Sequence, residues 1–140
     1  MKRRKWWFIG LGLAFLAASV FAWIYSERPP FKFLENATLE ERTIRTGLGP
    51  DTALTDYRLA LPFDQVVESA RKEMEPLGWR GKQYFKDVAF SPHTDIDEIL
   101  AESVNIAPPL STGQPVRITV ARHATWAHRA RVWLTHVLRP

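Results

Sequence analysis

The sequence predicts an α+β protein: an N-terminal transmembrane helix followed by a small antiparallel sheet with two helices, 62–76 and 125–138, packed on it. Three observations lead there. Trp6 to Tyr25 is an apolar run without one charged residue. PFDQVVESARKEMEPLG places Phe63, Val66, Val67, Ala70, Met74 and Leu77 on one stripe of a 3.6-residue helix. VRITVAR alternates strictly, with Val116, Ile118 and Val120 on one face and Arg117 and Thr119 on the other, as a half-buried strand does.

Taken in chain order, Lys2, Arg3, Arg4 and Lys5 come first and act as topology determinants. A 20-residue helix is about 30 Å long, the thickness of a bilayer's hydrocarbon core. Trp6 and Trp7 at one end of the run, and Trp23 and Tyr25 at the other, are the expected membrane-interface residues. The basic cluster keeps the N-terminus cytoplasmic and sends the remainder to the extracytoplasmic side of the inner membrane. The rival reading is a cleaved secreted protein, with Val20 and Ala22 before Trp23 as the small-residue cleavage signal. The apolar run is longer than a usual signal core, which favours a retained anchor. The expected organisation is a basic tip over 1–5, the anchor over 6–25, a Pro-containing spacer over 26–37 and an extracytoplasmic domain over 38–140.

Within that domain, Arg28-Pro29-Pro30 cannot continue a helix. LEERTIRT reads as a first strand, and DYRLAL as a second with Tyr57, Leu59 and Leu61 on one face. Pro62 suits a helix start, and Pro76 with Gly78 ends the helix near Glu75. WRGKQYFKDVAF reads as one strand or a hairpin turning around Lys86-Asp87. Asp95 and Glu98 have capping-box spacing before Ile96, Ile99 and Leu100, and Val104 and Ile106 fit a strand. On the last helix Thr125 is the N-cap. Trp126, Ala127, Ala130, Trp133, Leu134, Val137 and Leu138 form an arc expected to close the core, with Arg139 at the C-terminal dipole.

Composition excludes several function classes. The formal charge of +4 resides wholly in the N-terminal tip; the other 15 basic residues balance 15 acidic ones. Such a domain lacks the basic surplus of a nucleic-acid binder. It contains no Cys, hence no disulfide, thiolate nucleophile or lipoprotein attachment site. Charge is segregated: residues 87–114 have five acids and no Lys or Arg, and residues 115–140 have five Arg and no acid. Mutual neutralisation is the simpler reading. The sharper one is a cationic interaction face of His128, Arg129, Arg131 and His136, suited to anionic lipid or an acidic partner.

Two clusters invite a chemical reading. His93, Asp95, Asp97 and Glu98 hold oxygens that a hard cation would want, but the spacing fails the calcium-loop pattern and suits a helix N-terminus. His123, His128 and His136 are spaced by five and eight, not the four that one helix needs to chelate zinc. There is no G-x-S-x-G elbow, and Gly47-Leu48-Gly49 is a turn signal, not a dinucleotide fingerprint. No catalytic, cofactor-binding or metal-ligating residue is therefore expected, nor a cofactor.

The anchor, the RPPF spacer, the single amphipathic helix ending LGW and the terminal TWAHRARVWL together resemble, in layout, uncharacterised small single-pass bacterial membrane proteins. The resemblance brings no activity, cofactor or site residue with it. The expected function is non-enzymatic: a membrane-anchored binding or structural domain in the bacterial envelope, with an envelope protein as partner. The alternative is a small envelope enzyme or metal-binding protein using the His-rich C-terminal helix.

Overall fold

The structure is a computed structural model and describes residues 2–25, 29–47 and 49–138. The side chains of residues 2, 3 and 23–25 lie outside this description, as does residue 139, and with them the expected roles of Lys2, Arg3, Trp23, Tyr25 and Arg139. Among the described residues the protein is α+β, with four α-helices and one six-stranded antiparallel sheet. Helix α1 is Lys2–Tyr25, α2 is Phe63–Met74, α3 is Ile96–Ala101 and α4 is Trp126–Val137. The strands are β1 (Thr38–Arg45), β2 (Thr52–Leu59), β3 (Arg80–Tyr84), β4 (Asp87–Ser91), β5 (Ser103–Ala107) and β6 (Val116–His123). Their order across the sheet is β1-β2-β6-β5-β4-β3, so β1 and β3 are the edges.

Residues paired across antiparallel strands share a face. One row runs Tyr57, Ile118, Ile106, Val88, and the next runs Thr55, Val120, Val104, Phe90, Gly81. On this face sits the core. Val66, Val67, Ala70 and Met74 of α2 pack against Tyr57, Leu59, Phe90, Val104, Ile106 and the β6 valines. Pro62 is the N-cap, one position earlier than a first helical residue. The helix continues as a single 3-10 turn, Glu75–Leu77, which Gly78 ends in the left-handed region at φ +88°.

Three expectations change. The stretch read as spacer contributes Phe31 and Leu34 to the core, in a 3-10 turn over Lys32–Leu34. Phe31 meets Trp79 edge-on at 5.5 Å between ring centroids. The β3–β4 hairpin turns at Phe85 and Lys86, one residue earlier than expected, with Phe85 at φ 55°. Leu61 lies beyond β2 and is exposed, so the inward set of that strand ends at Leu59.

The largest correction concerns α4. Trp126 is 73% and Trp133 63% exposed, and Val137 and Leu138 are also exposed. The buried residues are Ala127 and Arg131, with Leu134 half-buried. They lie four and three residues apart, as one helical stripe. The helix is thus rotated so that Ala127 and Arg131, not its indoles, meet the domain. It lies along β1 with both Trp rings on the outside.

Candidate functional site

The second face of the sheet has little cover. Helix α3 has six residues and packs over one end of it, against β6. Alternation along each strand delivers the residues of this face. Leu54 pairs with Ala121, which pairs with Ser103; Asp56 pairs with Thr119, then Asn105, then Ala89; Arg58 pairs with Arg117, then Ala107. The face therefore grades from small and mostly apolar at the α3 end, where Arg45 donates to the Leu100 carbonyl, to polar in the middle and cationic at the far end.

Of the acids on this face, Glu41 is exposed on the edge strand β1, and Asp56, Asp87 and Glu40 are engaged. Thr119 donates its hydroxyl to Asp56 at 2.5 Å, and the Asn105 amide donates to Asp87 at 2.9 Å. Arg58 donates Nε and Nη2 to the two carboxylate oxygens of Glu40, at 2.7 and 2.8 Å. This fork-to-fork pairing holds the Glu40 carboxyl below its ordinary range, with Arg117 adding a smaller attraction, and raises Arg58 in return. Among the described residues Arg117 and Lys86 make no hydrogen bond or ion pair.

The Glu40 pair gives a pH prediction. A carboxyl lowered in the folded state adds stability above its unfolded pKa and loses it as pH falls through the folded value. In an NMR titration the Glu40 carboxyl should have a midpoint below that of a free glutamate. Arg58→Ala should return the midpoint to the ordinary range; an unchanged midpoint would show that the pair does not form in solution.

Next to α3 lies the cluster that the acidic motif announced. Asp95 caps α3 by accepting from the Asp97 N–H at 2.9 Å. Glu98 does not complete the expected capping box. It lies 3.1 Å from His93 Nδ1, while Glu102 lies 2.8 Å from His93 Nε2. Ser91, which is buried, donates to the Glu102 carbonyl and accepts from the His93 N–H. The hydroxyl is thus turned away from the imidazole, whose two nitrogens both face carboxylates. The arrangement clamps the start of α3 to the start of β5 and contains no nucleophile–base pair. Among the described residues no three His, Asp or Glu come together as metal ligands.

The C-terminal candidates are dispersed. His128 closes the N-terminus of α4: its Nδ1 accepts from the Thr125 N–H at 3.2 Å, and its own N–H reaches the Thr125 hydroxyl. Arg129 pairs with Asp51. Arg131 is 8% exposed and leaves the cationic face altogether. His123 ends β6, and His136, in the last turn of α4, is exposed. The segregated charges do not simply cancel either, because Arg129 turns to Asp51 while Glu98 and Glu102 turn to His93.

Sequence reasoning did not single out Arg58, Lys86, Asn105 or Arg117. The signal was present only as outward positions of alternating strands, and the register across four strands is what gathers them. Comparison with known proteins finds no matching family model, no matching curated protein and no matching solved structure.

Proposed function

We propose that the chain is a single-pass membrane protein whose domain, on the extracytoplasmic side, is a non-enzymatic binding module of the envelope. The carrying observation is α1 and its junction. The helix is long and apolar enough to cross a bilayer, with Trp6, Trp7, Phe8, Leu11, Leu13, Phe15 and Leu16 all exposed. Only five residues separate Tyr25 from the buried Phe31, and they can span at most about 20 Å. The domain would therefore stand directly on the membrane surface. Arg122 lies 5.9 Å over the Phe31 ring, so the end of β6 and the start of α4 belong to the same end of the domain. That is where the exposed Trp126 and Trp133 favour a second, interfacial contact with lipid, with His136 beside them adding affinity for anionic headgroups. The open sheet face supports the binding role.

The absence of Cys makes topology directly testable. Single cysteines are introduced by Ser111→Cys, in the exposed β5–β6 loop, and by Lys5→Cys before the anchor. A membrane-impermeant maleimide should label the first in intact spheroplasts and the second only after lysis. The protein should also stay in the membrane pellet after alkaline extraction. The reverse labelling, or a shortened soluble product, would overturn the proposal.

A further inference from the structure

We infer that the open face of the sheet is a binding groove for a single-chain anionic amphiphile, a fatty acid or lysophospholipid, with its chain at the α3 end and its head at Arg117 and Lys86. Two cavities lie along this face and join at Lys86 and Asp87. The larger, about 740 Å³, has Leu54, Ala89 and Ala121 in its lining and is walled by Ile99 and Leu100 of α3, with Phe85 at the rim. The smaller, about 280 Å³, is lined by Arg58, Arg117, Lys86 and the loop after β5. From Ala121 to Arg117 is four residues of β6, about 13 Å. The groove therefore runs at least that far, mostly apolar at the α3 end, where Arg45 is tied to the Leu100 carbonyl, and polar at the other.

Charge selects the head. Glu40, Asp56 and Asp87 already have donors, in Arg58, Thr119 and Asn105, and Glu41 is exposed on the edge strand. Among the described residues Arg117, beyond its attraction to Glu40, and Lys86 make no hydrogen bond or ion pair, and they stand at the far end of the same trough, so an acceptor-only anionic group completes them. The Asp56–Thr119–Asn105 row marks where chain gives way to head. An extended peptide suits the trough less well. It would gain backbone hydrogen bonds at the edges β1 or β3, and none across an open face.

The polarity of the groove matches that of a bilayer leaflet, and here the inference rests on the membrane reading above. The apolar end is the end of β6 at Arg122, which stands over Phe31, close to the anchor. Ile96 and Leu100 of α3 are exposed at that end. An amphiphile leaving the outer leaflet would enter with its chain toward the membrane and its head away, without inverting.

The test uses the full chain in vesicles containing palmitate with a diazirine on its chain, with the diazirine lysophosphatidylglycerol as a second arm. After photolysis, labelled peptides are mapped by mass spectrometry. Label from either probe is expected on peptides holding Leu54, Ala89 or Ile99, as well as on α1; the arm that labels more strongly names the source. Ala89→Trp should abolish the groove label. Charge reversal of both exposed cations, Lys86→Glu with Arg117→Glu, should reduce it about fivefold or more and leave α1 unchanged. Label confined to α1 and α4, or equal groove label from the zwitterionic lysophosphatidylcholine, would overturn the inference while the anchor stands. Groove label without α1 label would support the groove and overturn the anchor.

Discussion

Replacing Phe90 with alanine should destabilise the domain by about 3–5 kcal/mol. Against a total of roughly 5–15 kcal/mol for a domain this size, that leaves it close to unfolding. The ring is fully buried on β4 and belongs to the cross-strand row of Thr55, Val120, Val104 and Gly81. Its neighbour on β3 has to be glycine. A Cβ at Gly81 would stand 2.7 Å from Phe90 Cε1, closer than carbon atoms approach, so the ring occupies the space that a side chain would take. Removing the ring thus empties a volume that nothing on the edge strand can fill, and partial collapse should recover little. Urea unfolding of the full chain in vesicles, followed by near-ultraviolet circular dichroism, measures the loss. A change below about 1 kcal/mol would mean that Phe90 is not packed as described.

Glu73→Ala should cost about 2–3 kcal/mol and should free the segment that joins α1 to the sheet. Glu73 projects from α2, and its two oxygens accept the backbone N–H groups of Lys32 and Phe33 at 2.7 and 3.0 Å. Those N–H groups open a 3-10 turn whose own N-cap residue, Phe31, has no side chain able to satisfy them. Without the carboxylate, the part-buried Phe33 N–H loses its acceptor, and Phe31 and Leu34 are left with their packing and the turn's own backbone hydrogen bonds. Trypsin should then cut after Lys32 faster than in the wild-type chain, and Glu73→Gln, with one carbonyl oxygen left, should fall between. Equal cutting rates in all three proteins would show that the segment is secured elsewhere.

How far the sequence reads ahead of the structure differs between elements for identifiable reasons. Helix α2 and strands β2 and β6 follow their hydrophobic periods because each has one face buried and one face wet. Such elements write their environment into local spacing. Strand β3 has hardly any such record, since RGKQY is an edge strand that is almost wholly exposed. The 3-10 turn at Lys32–Leu34 leaves none, because its cap lies forty residues away on α2.

Helix α4 shows the limit of periodicity most directly. Apolar spacing around WAHRARVWLTHV defines a stripe but not which structure meets it. The indoles face outward and Ala127 and Arg131 inward, so the stripe that meets the domain is not the one the apolar spacing marks. Under the membrane reading proposed above, the bilayer interface is a second apolar phase available to those rings.

The candidate site divides in the same way. That Arg58, Arg117 and Thr119 point away from the core follows from alternation alone. That they share one trough with Lys86, Asn105 and the α3 wall depends on the β1-β2-β6-β5-β4-β3 order and its registers.

By itself, then, the sequence determined the α+β class, the apolar N-terminal helix, the principal helix and strands, and the neutral charge of everything beyond the tip. Tertiary structure alone decided the rotation of α4, the burial of Arg131, the capture of residues 31–34 by Glu73 and the gathering of a graded groove on the open face. Period and composition are properties of neighbours along the chain. Strand register and helix rotation are properties of pairs far apart in it, set by which shapes pack closely, and no local pattern encodes them.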